Sequence, residues 1–206
     1  MSCCCSHFTE KFSTILNSDL REYVNSNYRL IEKSNIGTDK VSEMSINGNI
    51  NNISFTLDKR IVCCESKEIN ILSFLNKSTP NIGKKNDLIV ICPKNDNGRL
   101  KLTVFIIELK SNNPNGAGKQ ILCGKIFVDY LINIYKLHFD CTFDIEVSYY
   151  GIISSLKTPP IRQTSTSRNT NYIFNTTKKN GFEIPLLNWN PNTKLPLQDI
   201  HRKIST

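Results

Sequence analysis

Apolar spacing divides the chain into stretches of different period. From Phe8 to Lys33, apolar residues recur at Phe8, Phe12, Ile15, Leu16, Leu20, Val24, Tyr28 and Ile31, close to the 3.6-residue repeat of a helix. Asn17-Ser18-Asp19 predicts a break there, with Ser18 or Asp19 capping a second helix. Residues 41–64 change period: Ile53-Ser54-Phe55-Thr56-Leu57 alternates and Ile61-Val62-Cys63-Cys64 is a short apolar run, predicting short strands. Residues 68–75 form a short apolar piece that reads as helix. Two denser runs follow, Leu88–Cys92 and about 100–110, joined by the turn-rich Pro93–Arg99. They predict a hairpin whose second strand, apolar on both faces from Val104 to Ile107, is covered on both sides. Ala117 to Leu137 then predicts a long helix, with apolar positions at Ile121, Leu122, Ile126, Phe127, Leu131, Ile134 and Tyr135. Glu146–Ser154 reads as a strand. The basic, polar stretch from Lys157 to Arg168 reads as loop, and Asn171–Phe174 and Phe182–Trp189 as short pieces capping the core.

These elements predict an α/β protein: a mixed central β-sheet flanked by helices, in one domain spanning 1–206. Its core covers about 19–155, a helical segment 8–33 precedes it, and the basic loop and capping segments fill 156–206. At 206 residues, 39% hydrophobic and 9% aromatic, the chain has the means for a core of ordinary size. No run approaches about 18 apolar residues, so no membrane partner is expected. Met1–His7 has neither the charged start nor the apolar centre of a signal peptide, and the expectation is a cytoplasmic, intracellular protein. Cys3-Cys4-Cys5 and Cys63-Cys64 are adjacent, and Cys92, Cys123 and Cys141 stand alone. That spacing suits neither a disulfide framework nor a zinc site and reads as reduced thiols.

The charge shifts attention to polyanions. Twenty-six Lys and Arg against eighteen Asp and Glu give +8, and a moderately basic domain suits nucleic acid. The chemistry is concentrated at the two ends of the hairpin's apolar runs. Asp87 opens the first, and Glu108-Leu109-Lys110 closes the second. Antiparallel pairing sets the start of one strand beside the end of the other, so a turn centred near Asn97 brings Asp87 opposite Glu108. Alternation points Glu108 and Lys110 to one face. Two carboxylates suit Mg²⁺, or Mn²⁺, which takes one or two such ligands and keeps several waters; the Leu109 backbone carbonyl is a further donor. Lys110 would orient a water or stabilise charge on a phosphate, and the first turn of the long helix carries Lys119 and Gln120 toward the same place. The competing reading is an exposed strand end with an ordinary ion pair.

The order strand–turn–strand–helix, with Asp87 on the first strand and Glu108-Leu109-Lys110 on the second, resembles the PD-(D/E)xK (restriction-endonuclease-like) nuclease superfamily, although Asn86 stands where the motif has proline. The likeness covers about 19–155 as topology and about four residues as motif. It implies a restriction-endonuclease-like core and a metal-dependent endonuclease that hydrolyses phosphodiester bonds of DNA, ahead of RNA, in restriction, repair or defence against mobile elements. It implies catalytic roles for Asp87, Glu108, Lys110 and Gln120, and a further carboxylate from the first helix, Glu22 or, in preference, Glu32. It also implies a homodimer, since two strands need two sites. Lys119, Lys125, Lys157, Arg162 and Arg168 are the expected phosphate contacts. The alternative is a non-catalytic subunit of the same fold that binds nucleic acid or a partner protein. His7, His138 and His201 lack any ligand spacing, and His138 reads as a C-terminal partner of the helix dipole.

Overall fold

A mixed seven-stranded sheet organises the computed structural model, which describes residues 4–32, 42–48, 50–57, 61–63, 67–69, 85–110, 116–141, 143–156, 158 and 172–205. Helix α1 (Cys4–Ile15) buries Phe8 and Phe12. A single 3-10 turn follows at Ser18–Leu20, then strands β1 (Arg21–Glu22), β2 (Tyr28–Glu32), β3 (Ser42–Ile46), β4 (Ile53–Phe55), β5 (Ile61–Cys63) and β6 (Lys67–Ile69). The hairpin is β7 (Leu88–Asp96) and β8 (Arg99–Lys110); α2 (Ala117–His138) and β9 (Ile145–Ser155) come next. The chain closes with β10 (Asn175–Lys179), β11 (Phe182–Trp189) and α3 (Leu197–Ile204). The central sheet has the order β1-β4-β7-β8-β9-β11-β10, and β2–β3 and β5–β6 form two separate antiparallel pairs. Strands β8, β9 and β11 are parallel and the other pairings antiparallel. The α/β class and the mixed sheet flanked by helices are therefore as the apolar pattern predicts.

Both faces of the sheet are covered. One side of the hairpin presents Ile89, Ile91, Val104 and Ile106 to α1 and α2, where Phe8, Phe12, Ile121 and Val128 complete the core. The other presents Leu88, Val90, Phe105 and Ile107 to the β2–β3 pair and α3, through Leu30, Met44, Ile46, Leu197 and Ile200. Residues 102–109 of β8 are buried throughout, the double burial that a near-continuous apolar run signals.

Three expectations are corrected. The helical segment 8–33 ends at Ile15. Asn17 accepts the Asp19 N–H and Arg21 donates to the Ser13 and Leu16 carbonyls, closing the helix from beyond its end. After the break the chain enters strands: Leu20 ends the 3-10 turn, Val24 lies between β1 and β2 and Leu30 is in β2, and all three are buried. The loop expected at 93–99 is mostly strand, and only Asn97-Gly98, both at positive φ (52° and 85°), turns the chain. Phe182–Trp189 is a sheet strand parallel to β9 rather than a capping piece, and α3 follows it. Most of the stretch 157–171, the Ser34–Gly37 stop signal and most of 68–75 lie outside the described residues. Cys92 is buried in apolar surroundings that push its thiol far up, while Cys4, Cys5, Cys123 and Cys141 are half-buried; none of the five forms a disulfide among the described residues. Among the described residues no helix is long and apolar enough to cross a membrane.

Candidate metal centre

The hairpin ladder runs from Asp96↔Arg99 at the turn to Leu88↔Ile107 at the open end. Asp87 and Glu108 are the next residues beyond that last pair on the two chains. Alternation along each strand directs both to one face of the sheet. That face is the one α2 covers, since Ile106 and Ile89, two positions back on each strand, pack there. Asp87 Oδ2 accepts the Leu109 N–H at 2.6 Å. Lys110 Nζ donates to Glu108 Oε1 at 2.5 Å, and the side chains are 19% and 2% exposed respectively. An acid and an amine two residues apart on one strand thus meet above the sheet, as alternation requires. Leu109 turns its side chain into the opposite core, and its backbone passes between the two charged groups.

The cluster lies at the carboxyl end of the parallel strands β8 and β9, beside the start of α2, the place where open α/β sheets put their ligand crevices. Gly116 begins α2 in a left-handed conformation (φ 85°) with no side-chain cap. In the first turn Lys119 is exposed and Gln120 is buried. Gln120 Nε2 donates to the Lys85 carbonyl (3.2 Å), and Asn86 Nδ2 donates to the Gln120 carbonyl (3.1 Å). Gln120 therefore reaches the residues just before Asp87. At the far end, Lys136 and His138 occupy the last turn of α2, where cations complement the helix dipole.

Other expected residues are placed elsewhere. Lys125 bonds Asp129 at 2.8 Å and lies 4.6 Å above the Tyr149 ring, while the Tyr149 hydroxyl also donates to Asp129. Its charge is spent between α2 and β9. Burial, then the bond to Asp129, pushes the Tyr149 hydroxyl far above its ordinary value. Glu22 and Glu32 lie on strands, not on a first helix. Glu22 pairs with Ser54, which pairs with Val90 on the face away from α2. Glu32 ends β2, paired with Ser42 outside the central sheet. Among the described residues no three His, Cys, Asp or Glu side chains form a metal-binding group. Lys157, Arg162 and Arg168 lie outside the described residues.

The donors present are two carboxylates, one buried and one half-buried, with an adjoining ammonium. Carboxylates offer about four acceptor positions each, and the bonds to Leu109 and Lys110 each take one. Two hard oxygen ligands fit Mg²⁺ or Mn²⁺ and do not fit a structural zinc site. Two neighbours escaped sequence reasoning. Buried Ser155 stands in register with Lys110 across the parallel β8–β9 pairing, a register no local pattern encodes. Buried Asn86 had one signal, a polar residue immediately before an acid and an apolar run. No family model, curated protein or solved structure matches the chain.

Proposed function

We propose that the chain is a divalent-metal-dependent nuclease with a restriction-endonuclease-like core, its site formed by Asp87, Glu108 and Lys110. The observation that carries this reading is the open end of the hairpin, where Asp87 bonds the Leu109 amide and Lys110 bonds the neighbouring Glu108. Asp87 and Glu108 would hold the cation, Mg²⁺ or Mn²⁺. Bound there, such an ion neutralises phosphate charge and lowers the pKa of a water. Lys110, half-buried on the same face, directs its ammonium at charge that develops on the phosphate, where a fixed cation in a site poor in water acts strongly. Low exposure of Glu108 keeps the dielectric low around these groups. The +8 charge supports a polyanionic substrate, DNA ahead of RNA, and a role in restriction, repair or defence against mobile elements. A homodimer would give one site per strand.

A second reading has its own support. The Asp87–Leu109 and Glu108–Lys110 bonds already bind the cluster together within the chain, which suits a non-catalytic subunit that binds nucleic acid or a partner protein. Calorimetric titration with Mn²⁺, paired with cleavage of plasmid, single-stranded DNA and RNA, separates the two. The nuclease reading expects Mn²⁺ binding and cleavage in the wild type. It expects Asp87→Ala and Glu108→Gln to lose both, with a rate loss of at least about 100-fold, or about 2.7 kcal/mol. Full divalent-dependent cleavage by either variant rejects the assignment.

A further inference from the structure

We infer that Asn86, Gln120 and Gly124 are positioning residues that clamp the chain ahead of Asp87 and thereby set where its carboxylate lies. This deepens the metal-site reading and rests on it for its consequence, though not for its geometry. Asp87 precedes the first residue of β7, one position beyond the ladder's last pair, Leu88↔Ile107. The residues before it are held by α2. Gln120 Nε2 bonds the Lys85 carbonyl, Asn86 Nδ2 bonds the Gln120 carbonyl, and the Leu57 N–H reaches the Asn86 carbonyl at 3.4 Å. Asn86 is 1% exposed, and its Oδ1 has no hydrogen-bond partner among the described residues.

That oxygen lies against Gly124, one turn along α2 from Gln120. A Cβ on Gly124 would fall on Asn86 Oδ1, 3.0 Å from Asn86 Cγ and 2.9 Å from Ile106 Cγ2. Glycine is required here for close approach, since its backbone is ordinary helix. A methyl group would have to move a short carboxamide that is tied to Gln120, and through it the backbone adjoining Asp87. Gln120 therefore works through Asp87 rather than on a phosphate: its amide is spent on Lys85 and it is 7% exposed.

The Leu109 amide reports the position of Asp87, because its proton is donated to Oδ2. The test is amide hydrogen exchange by NMR on metal-free protein, with Ile107, inside the ladder, as the control. Asp87→Ala sets the fully released value. Gly124→Ala and Gln120→Met should each speed Leu109 exchange by about tenfold or more while Ile107 is unchanged. In Mn²⁺ titrations both single variants should bind about tenfold more weakly, yet cleave near the wild-type rate once Mn²⁺ saturates. A residue that touches substrate would lose rate that metal cannot restore. Wild-type Leu109 exchange in folded variants, or equal acceleration at Leu109 and Ile107, overturns the clamp. Should Gly124→Ala not fold, Gln120→Met decides by the same readout. A wild type that binds no Mn²⁺ defeats the nuclease reading alone, and Leu109 exchange still decides the clamp.

Discussion

The two ends of the β7–β8 hairpin carry the same chemistry in opposite surroundings. At the turn, Lys101 pairs with Asp96 at 2.7 Å and lies 3.9 Å from Glu146, with the three side chains 40–59% exposed. At the open end, Lys110 pairs with Glu108, whose side chain is only 2% exposed. The turn-end charges are hydrated and mobile, and such pairs contribute little. Their mutual hydrogen bond draws the Asp96 carboxyl below its ordinary range and the Lys101 amine above its own. Burying an acid as deeply as Glu108 requires compensation, and a core position would be filled more cheaply by an apolar side chain. Burial thus separates a charge pair that decorates a turn from one set into the core at a cost in stability.

The largest effect should come from removing Lys110. Lys110→Met leaves the Glu108 carboxylate buried without its ammonium and should lower stability by about 2–4 kcal/mol, measured by urea unfolding. Glu108→Gln/Lys110→Met should recover most of that loss, because the buried charge is gone. A bound divalent ion would stand in for the amine, so Mn²⁺ should raise the Tm of Lys110→Met more than that of the wild type. If Lys110→Met matches the wild type in stability, the two ends do not differ and the comparison fails. Lys101→Met is the counterpart at the turn. It should leave Tm unchanged within the scatter of replicate melts at physiological salt, and leave cleavage untouched. A clear Tm loss there would show that exposure is the wrong measure of what these pairs do.

The contrast also shows what a sequence carries. The hairpin was legible because its turn residues and apolar runs are local, and register follows from the turn: Asn97-Gly98 sets a ladder that ends at Leu88↔Ile107, one residue short of Asp87 and Glu108. Helix α2 was legible for the same reason, although Ile126, counted on its buried stripe, is 46% exposed while Gly124 and Val128 face the core. What stayed hidden is non-local. Parallel pairing put β11 beside β9 and Ser155 beside Lys110 without any marker in either segment. The stretch after Ser18 keeps a helical apolar spacing, yet α1 ends at Ile15 and Arg21 bonds back to the Ser13 and Leu16 carbonyls. Gly124 carries no marker in the sequence; its value appears once Asn86 is packed against it.

The smallest effect concerns a buried group on the other face of the sheet. His201, on α3, packs edge-on to Phe105 and its Nε2 is buried without a hydrogen bond among the described residues. Burial, and then the nearby Lys94 charge, hold its pKa below the ordinary 6.5. The sign follows directly. Below about pH 6.5 the unfolded chain takes up a proton that the folded chain refuses, so unfolding gains proton-binding energy as pH falls. The contribution to stability is whole above pH 6.5 and declines from there down through the lowered folded value. For a partly buried group this is worth less than about 1 kcal/mol, at most roughly 2–4 °C in Tm. His201→Phe keeps the ring against Phe105 and cannot titrate, so its Tm should fall less than the wild type's between pH 7.5 and 5.5. Equal falls would mean that His201 takes its proton as readily folded as unfolded. In that case the apolar packing around α3 does not exclude charge, and the deep burial of Glu108 under α2 would be the sheet's one strongly desolvated acid among the described residues rather than part of a general rule for both faces.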